Sequence, residues 1–246
     1  MSIPKIIHYC WFGGGAISPE NRKCMESWKK YCSDYKIMAW NEQNFDISTN
    51  RYAQQAYEAK RYAFVSDYVR LAVLYEYGGI YLDTDVELVR PLDELLELPG
   101  FMGFQTNNEV ATGLGFGARK GNSVVQALLR DYDALDFLKA DGSADLTPCP
   151  ERNTRVLQAL GVRKDGTRQS IAEMEIFPAE YFCPMDFYSR ELRVTPKTYS
   201  IHRYAESWKP KPSAVSRILQ RLLKKHYYTW YCPLRGRIEG RLRKRT

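Results

Sequence analysis

Asp83 and Asp85 are two carboxylates one residue apart, and their setting is as specific as their spacing. They close the run DYVRLAVLYEYGGIYLDTD, which begins at Asp67 and also holds Arg70, three residues after that first acid. Paired carboxylates at a strand end suit a hard divalent cation that takes oxygen ligands and accepts phosphates as the others. Such an ion neutralises charge on a departing diphosphate and acts as a Lewis acid. A bare Asp-x-Asp is commonly no more than solvated turn chemistry. Here two glycines, an aromatic residue and an Asp-x-x-Arg pair accompany it.

The elements that must position these groups can be read from periodicity. Val65, Val69, Ala72, Val73 and Tyr77 recur with the spacing of one buried helical face. Gly78 and Gly79 end that helix, since glycine tolerates the left-handed backbone of a C-terminal cap. A short strand, Ile80 to Leu82, then carries the acids to its far end. On extended backbone Asp83 and Asp85 project to the same side, and Asp67 and Arg70 share a helix face. Upstream, KIIHYCWF (Lys5 to Phe12) fits a buried first strand that runs into Gly13-Gly14-Gly15, where backbone can approach a ligand. Those glycines lack the spacing of a dinucleotide or P-loop fingerprint. Ser18 and Pro19 start a helix to about residue 31, Tyr35 to Trp40 is a second strand, and Tyr52 to Lys60 is helical.

Downstream, residues 86–89, 101–105, 115–119, 175–177 and 199–202 read as extended. Residues 91–98 form a short helix or turn, 123–138 an amphipathic helix, and a further helix starts near Glu151. The alternation predicts an α/β fold with a mostly parallel mixed sheet flanked by helices. Such sheets bind ligands beyond the carboxyl ends of their strands, where Trp11 and Asp83 both sit.

SDYVRLAVLYEYGGIYLDTD resembles the central motif of glycosyltransferase family 32, sugar transferases with a DxD-type domain. That group includes bacterial capsular-polysaccharide enzymes and yeast mannosyltransferases, with clostridial glucosylating toxins as more distant relatives. IPKIIHYCWFGG resembles the family's opening strand, and His202, Ser207 and Trp208 match its His-x-x-x-x-Ser-Trp, so the resemblance reaches from Ile3 to about Trp208. It implies a GT-A-type nucleotide-sugar-binding fold. It also implies metal-dependent transfer of a hexose, with retention, from a nucleotide diphosphate donor to a hydroxyl of a growing glycan. In that scheme Asp85, with Asp83 and His202, holds Mn²⁺ or Mg²⁺, unless Asp83 meets the ribose instead. A neutral imidazole can complete an oxygen-rich manganese shell. Asp67 accepts from hydroxyls of the transferred sugar, and Arg70 reaches sugar or phosphate. Trp11 stacks on the base, Tyr81 donates to a phosphate, and Ser207 and Trp208 close over the nucleotide-sugar. The donor is a UDP-sugar in preference to a GDP-sugar. The acceptor is a glycan or glycolipid, such as a lipid-linked capsular or surface polysaccharide. VATGLGFGA and TPCPERN depart from the family's polar residues near the acceptor, so acceptor contacts stay unassigned. No carboxylate marks itself as a covalent nucleophile, which leaves the stereochemical mechanism open. A metal-dependent phosphohydrolase on the same carboxylates is the competing enzyme reading.

Composition bounds the rest. A hydrophobic content of 44% with 13% aromatic residues describes a folded chain. No apolar run approaches the roughly 18 residues that span a bilayer. The N-terminus lacks a signal-peptide pattern, giving the expectation of a cytoplasmic protein. Six cysteines without a Cys-x-x-Cys pair read as reduced thiols. Residues 209–246 carry 12 Lys and Arg against one acid, Glu239, whereas the remainder has 24 basic and 28 acidic residues. Two units are therefore expected, a catalytic domain over 1–208 and a basic tail over 209–246. An acidic body without an RNA-binding signature argues against a nucleic-acid partner. In the tail, Val215, Ile218, Leu219, Leu222 and Leu223 form an apolar stripe flanked by basic residues and followed by Tyr227, Tyr228, Trp230 and Tyr231. That is the composition of a helix lying in a membrane interface. It gives the expectation of a peripheral position on an anionic inner leaflet through residues 210–246, the alternative being that the stripe packs on the catalytic domain and its charges are solvated.

Overall fold

The computed structural model describes residues 2–187 and 189–205; Ser207, Trp208 and the basic tail lie outside the described residues. The chain opens with β1 (Ile6–Cys10), α1 (Pro19–Tyr31) and β2 (Lys36–Trp40), then α2 (Arg51–Glu58) and α3 (Tyr62–Tyr77). β3 (Gly79–Tyr81) and β4 (Val86–Leu88) follow, with β5 (Gly100–Phe104), β6 (Val110–Ala111) and β7 (Phe116–Ala118). The remainder is α4 (Ser123–Asp133), α5 (Cys149–Ala159), β8 (Gln169–Ile171), β9 (Met174–Phe177), α6 (Ala179–Phe182) and β10 (Ser200–His202).

Eight strands form one mixed sheet in the order β2-β1-β3-β7-β5-β9-β8, with β6 added on β5. β2, β1 and β3 pair in parallel, as do β5 and β9, while β7 is antiparallel to both its neighbours. Five strands therefore run one way, and β6, β7 and β8 run the other. This is the mixed, mostly parallel sheet flanked by helices that the alternation predicts. β4 and β10 form a separate antiparallel pair that matches His202 with Val86. Successive strand residues supply opposite cores, as the two-residue period demands. Ile80 and Phe101 join Trp28 of α1 and Leu88 on one side. Tyr81 and Met102 join Val65, Leu71 and Leu74 of α3 on the other.

Three expectations shift locally. Asp83 and Asp85 do not lie on extended backbone: β3 ends at Tyr81 and the chain turns at Thr84 and Asp85. The Val86 N–H returns to the Asp83 carbonyl at 3.0 Å. α4 ends at Asp133, five residues early, because Phe137 turns into the core beside Tyr52, their ring centroids 5.6 Å apart. α5 begins at Cys149 rather than near Glu151, since Pro150 falls in the first turn, where its missing N–H costs nothing.

Candidate active site

The turn between α3 and β3 sets the site's geometry. Gly78 has φ +67° and Gly79 φ +111°, and a Cβ on Gly79 would lie 2.8 Å from the Ile6 carbonyl oxygen. His8 of β1 braces this turn, its Nε2 2.9 Å from the Gly78 carbonyl oxygen while its Nδ1 accepts from Trp40 Nε1 at 3.0 Å. Burial lowers the His8 pKa to about 4, so the ring is neutral and Nε2 carries the proton. Leu82 N–H then donates to the His8 carbonyl, which aligns the end of β3 with β1 and delivers Asp83.

Asp83 sits at the centre of a buried polar cluster. Arg70 Nη2 lies 3.1 Å from Asp83 Oδ1 and 3.2 Å from Asp67 Oδ1. Its Nε donates to the Ser66 carbonyl, and its guanidinium lies 4.9 Å from the Tyr81 ring centroid. Tyr81 is fully buried, and its hydroxyl donates to Asp83 Oδ1 at 3.1 Å. The Asp83 N–H donates to the Gly113 carbonyl. A side chain at Gly113 has no room, because its Cβ would fall 1.9 Å from Asp83 Oδ2. Burial raises the Asp67 pKa from 3.8 to about 6, and Arg70 offsets only part of that penalty. Burial also works against the charge on Arg70, but the facing Asp83, Tyr81 and Asp67 outweigh it and its pKa is raised.

The second half of the site comes from the β4–β10 pair. His202 Nε2 lies 3.2 Å from Asp85 Oδ1, and the Ala205 N–H donates to Asp85 Oδ2 at 2.8 Å. Burial alone would raise the Asp85 pKa, but the charge and hydrogen bond of His202 reverse it and bring it to about 2. For His202 burial opposes the charged form, and Asp85 overcomes that to raise the pKa. One ligand atom from each of Asp83, Asp85 and His202 lies within 4.8 Å of the others. His202 Nδ1 is buried and has no hydrogen-bond partner among the described residues. Between the two acids, Thr84 Oγ1 accepts from Asn21 Nδ2 of α1 at 2.9 Å, tying the turn to the helix capped by Ser18.

The structure thus brings Asp67, Arg70, Tyr81, Asp83, Asp85 and His202 together. Trp11 is half-buried just past the end of β1, the strand that pairs with β3, with its indole N–H donating to the Gly15 carbonyl. Three further side chains pack behind Arg70. Cys149 Sγ is 3.9 Å from Arg70 Nη1 and 3.3 Å from Thr112 Oγ1, and Asn153 Nδ2 donates to both Cys149 and Thr112. They lie in VATGLGFGA and TPCPERN, the stretches that carried no assignment. Burial pushes the Cys149 thiol up to about 12, so it acts here as a neutral packing and hydrogen-bonding group.

Residues 18–101 match the family described as the glycosyltransferase sugar-binding region containing the DXD motif. The chain is 29% identical over 151 residues to inositol phosphoceramide mannosyltransferase 3 of Schizosaccharomyces pombe, covering 55% of this chain and 39% of that protein. It is 28% identical over 148 residues to alpha-1,4-N-acetylglucosaminyltransferase of Homo sapiens, covering 60% and 38%. The chain therefore spans less than two thirds of the length of these relatives. Among solved structures, the PaToxG glycosyltransferase aligns with a TM-score of 0.48 at 21% identity, over 64% of this chain and 69% of that one. A glycosyltransferase involved in glycosylating the major capsid of PBCV-1 aligns with a TM-score of 0.46 at 12% identity, over 83% and 95%. The family match runs from Ser18 to Phe101 and so contains the Asp83-Thr84-Asp85 turn.

Proposed function

We propose that the protein is a metal-dependent glycosyltransferase that moves a hexose, with retention, from a nucleotide diphosphate donor to a glycan or glycolipid hydroxyl. The observation that carries this reading is the convergence of Asp83, Asp85 and His202 beside the buried Asp67–Arg70 pair. Two carboxylates and an imidazole are a donor set that fits Mn²⁺ or Mg²⁺, and His202 brings a ring whose Nε2 lies 3.2 Å from Asp85 Oδ1 and whose buried Nδ1 has no hydrogen-bond partner among the described residues. Asp83, Asp85 and His202 would hold the ion, which when bound neutralises charge on the diphosphate and acts as a Lewis acid.

The chain's own groups do the positioning. Arg70 is fixed by Asp67, Asp83 and the Ser66 carbonyl, so a sugar or phosphate oxygen meets a guanidinium that pays little entropy to be found in place. Asp67, once ionised, accepts hydrogen bonds from sugar hydroxyls and has few polar partners to give up. Tyr81 spends its proton on Asp83 and orients that carboxylate; donation to a phosphate would require Asp83 to release it. Trp11, beside the Gly13-Gly14-Gly15 loop, offers a face for the base, a UDP-sugar being favoured over a GDP-sugar. Ser207 and Trp208 are proposed to close over the donor. The mannosyl and N-acetylglucosaminyl names of the relatives differ, so they do not single out the sugar. No helix among the described residues is long and apolar enough to cross a membrane. A peripheral position on the cytoplasmic leaflet, reading a lipid-linked capsular or surface glycan through residues 210–246, is the proposed setting.

The test is a thermal-shift screen of nucleotide-sugars with Mn²⁺, Mg²⁺ or chelator, since a ligand specific to the native state raises apparent stability. One donor should stabilise the protein only with metal. Asp85→Asn should cut transfer by orders of magnitude, each tenfold being about 1.4 kcal/mol of barrier. Full turnover in chelator overturns the metal mechanism. Release of sugar phosphate without any acceptor, and no transfer, makes the protein a phosphohydrolase instead.

A further inference from the structure

The β4–β10 ladder has a second end. From the Asp85–His202 end it runs through Leu88 and Ser200 to the Val89 N–H, which donates to the Tyr199 carbonyl at 2.9 Å. Tyr199 is three residues from His202, about 10 Å at the rise of a strand. Here a pocket of about 380 Å³ opens, sharing no residue with the candidate active site among the described residues. That volume is at the lower end of the range for small-ligand pockets.

Its wall is aromatic. Phe177 and Tyr181 lie 4.8 Å apart by ring centroid, and Tyr181 and Tyr199 stack at 6.3 Å. Cations lie over this wall: Arg90 is 4.4 Å from the Tyr199 centroid and Arg168 is 4.8 Å from that of Phe177. Lys197, Leu95, Leu98 and Pro196 also line it.

Charge decides what such a pocket would take. Arg90 grips Glu94 through two hydrogen bonds of 3.0 and 2.9 Å, and Glu94 also accepts from the Tyr199 hydroxyl at 2.7 Å. Arg168 pairs with Glu175 at 3.1 Å and Lys197 with Glu180 at 3.0 Å. Each of these cations is paired with a carboxylate, Glu94 on the lining itself and Glu175 and Glu180 behind it, which weakens the pull on an anion. A purely apolar ligand would strip water from three ion pairs without replacing its hydrogen bonds, which is costly. A neutral pyranose meets both demands. Its C–H face suits the half-buried ring of Tyr181, and its hydroxyls donate and accept at once, matching the Glu94 carboxylate and the guanidinium groups beside it.

We propose that this pocket is a carbohydrate subsite for a neutral segment of the acceptor glycan, separate from the transfer centre. Its chemistry follows from the pocket alone; naming the acceptor as its occupant rests on the transferase reading above. The site would hold the glycan away from its reacting end, so that binding does not depend on donor or metal.

Saturation-transfer NMR on the full chain, without donor or metal, tests it with maltotetraose, cellotetraose, chitotetraose and mannotetraose. At least one should bind at millimolar concentration. Arg168→Ala and Lys197→Ala, both at exposed side chains, should weaken it about tenfold or more while keeping the wild-type melting temperature. Tyr181→Ala should weaken it as well through the aromatic wall, with a lower melting temperature because its ring packs on Phe177, Phe182 and Tyr199. Asp85→Asn should bind the saccharide as the wild type does. The proposal is overturned if none of the four binds. It is also overturned if all three pocket variants bind normally, or if Asp85→Asn or excess UDP removes the signal. Inorganic phosphate binding that the pocket variants abolish, without any saccharide, makes it an anion site. Saccharide binding at the pocket in a protein that transfers from no donor sinks the transferase reading and leaves the pocket standing. Transfer without pocket binding does the reverse.

Discussion

Asp67 is the residue where the folding cost and the proposed chemistry meet. Its pKa in the fold is about 6 against 3.8 for the free group, so the folded state holds a proton that the unfolded chain releases. Stability from that proton is full below 3.8 and is lost as pH rises through about 6. Asp67→Asn cannot ionise. Its melting temperature relative to wild type should therefore climb between pH 4 and pH 7, a gain in stability at the expense of function. Sugar transfer should collapse in that variant while free nucleoside diphosphate still binds, and wild-type transfer should fall as pH drops through about 6. Parallel melting curves across that pH range, or equal loss of nucleotide and donor affinity, would contradict the assignment. A second test at this scale is Gly113→Ala. Its Cβ would sit 1.9 Å from Asp83 Oδ2, so the carboxylate must swing away. Metal affinity should drop about 10–100-fold, as when an orienting partner of a ligand is lost. Isothermal titration with Mn²⁺ reads this directly, and unchanged affinity would remove Asp83 from the ligand set. Asp67, Arg70, Asp83 and Asp85 were legible because they share one short run whose helix, glycines and strand announce themselves. His202 lies far along the chain and emerges only through a family pattern. Thr112, Cys149 and Asn153 gave no local signal of their meeting with Arg70, since β6, β7 and α5 create that contact only in three dimensions.

Elements hold these residues through a few identifiable joints. α1 is joined to the DXD turn by Asn21, and its start depends on the Ser18 hydroxyl, which accepts from the Asn21 N–H at 3.1 Å. Ser18→Ala should cost about 1 kcal/mol of stability, the usual loss for a helix N-cap. Asn21→Ala should loosen Thr84, weakening metal binding by more than its effect on the melting temperature explains. Urea denaturation beside a Mn²⁺ titration separates the two effects; equal behaviour of both variants would mean that α1 only packs. Serine before proline made that helix start readable, and Gly78-Gly79 did the same for the end of α3. β6 and β8, two and three residues long, are too short for a two-residue period to declare itself. The early end of α4 was hidden because an apolar stripe does not say that Phe137 leaves the helix to join Tyr52. His8 read only as part of an apolar strand, although its two ring nitrogens tie β2 to the glycine turn.

At the scale of the molecule, charge is distributed unevenly along the sequence. The first 208 residues carry 24 basic and 28 acidic side chains, and the last 38 carry 12 against one. Among the described residues, both hydrophobic cores beside the sheet draw on positions from Ile3 to Tyr204. Deleting residues 209–246 should therefore leave the cooperative unfolding transition and metal-dependent donor binding intact. It should abolish association with vesicles containing anionic lipid. Each Lys or Arg near such a surface contributes on the order of 1 kcal/mol, and exposed charges are screened within a Debye length, about 8 Å at physiological salt. Binding of the full chain should therefore be strong at low ionic strength and fade as salt is added. Co-sedimentation of full-length and truncated protein with anionic and neutral vesicles over a salt series measures this. A truncated protein that fails to fold would make the tail part of the body. A full chain that ignores anionic vesicles at low salt would remove the membrane from the proposed function, and the acceptor would then have to reach Asp67 and Arg70 from solution.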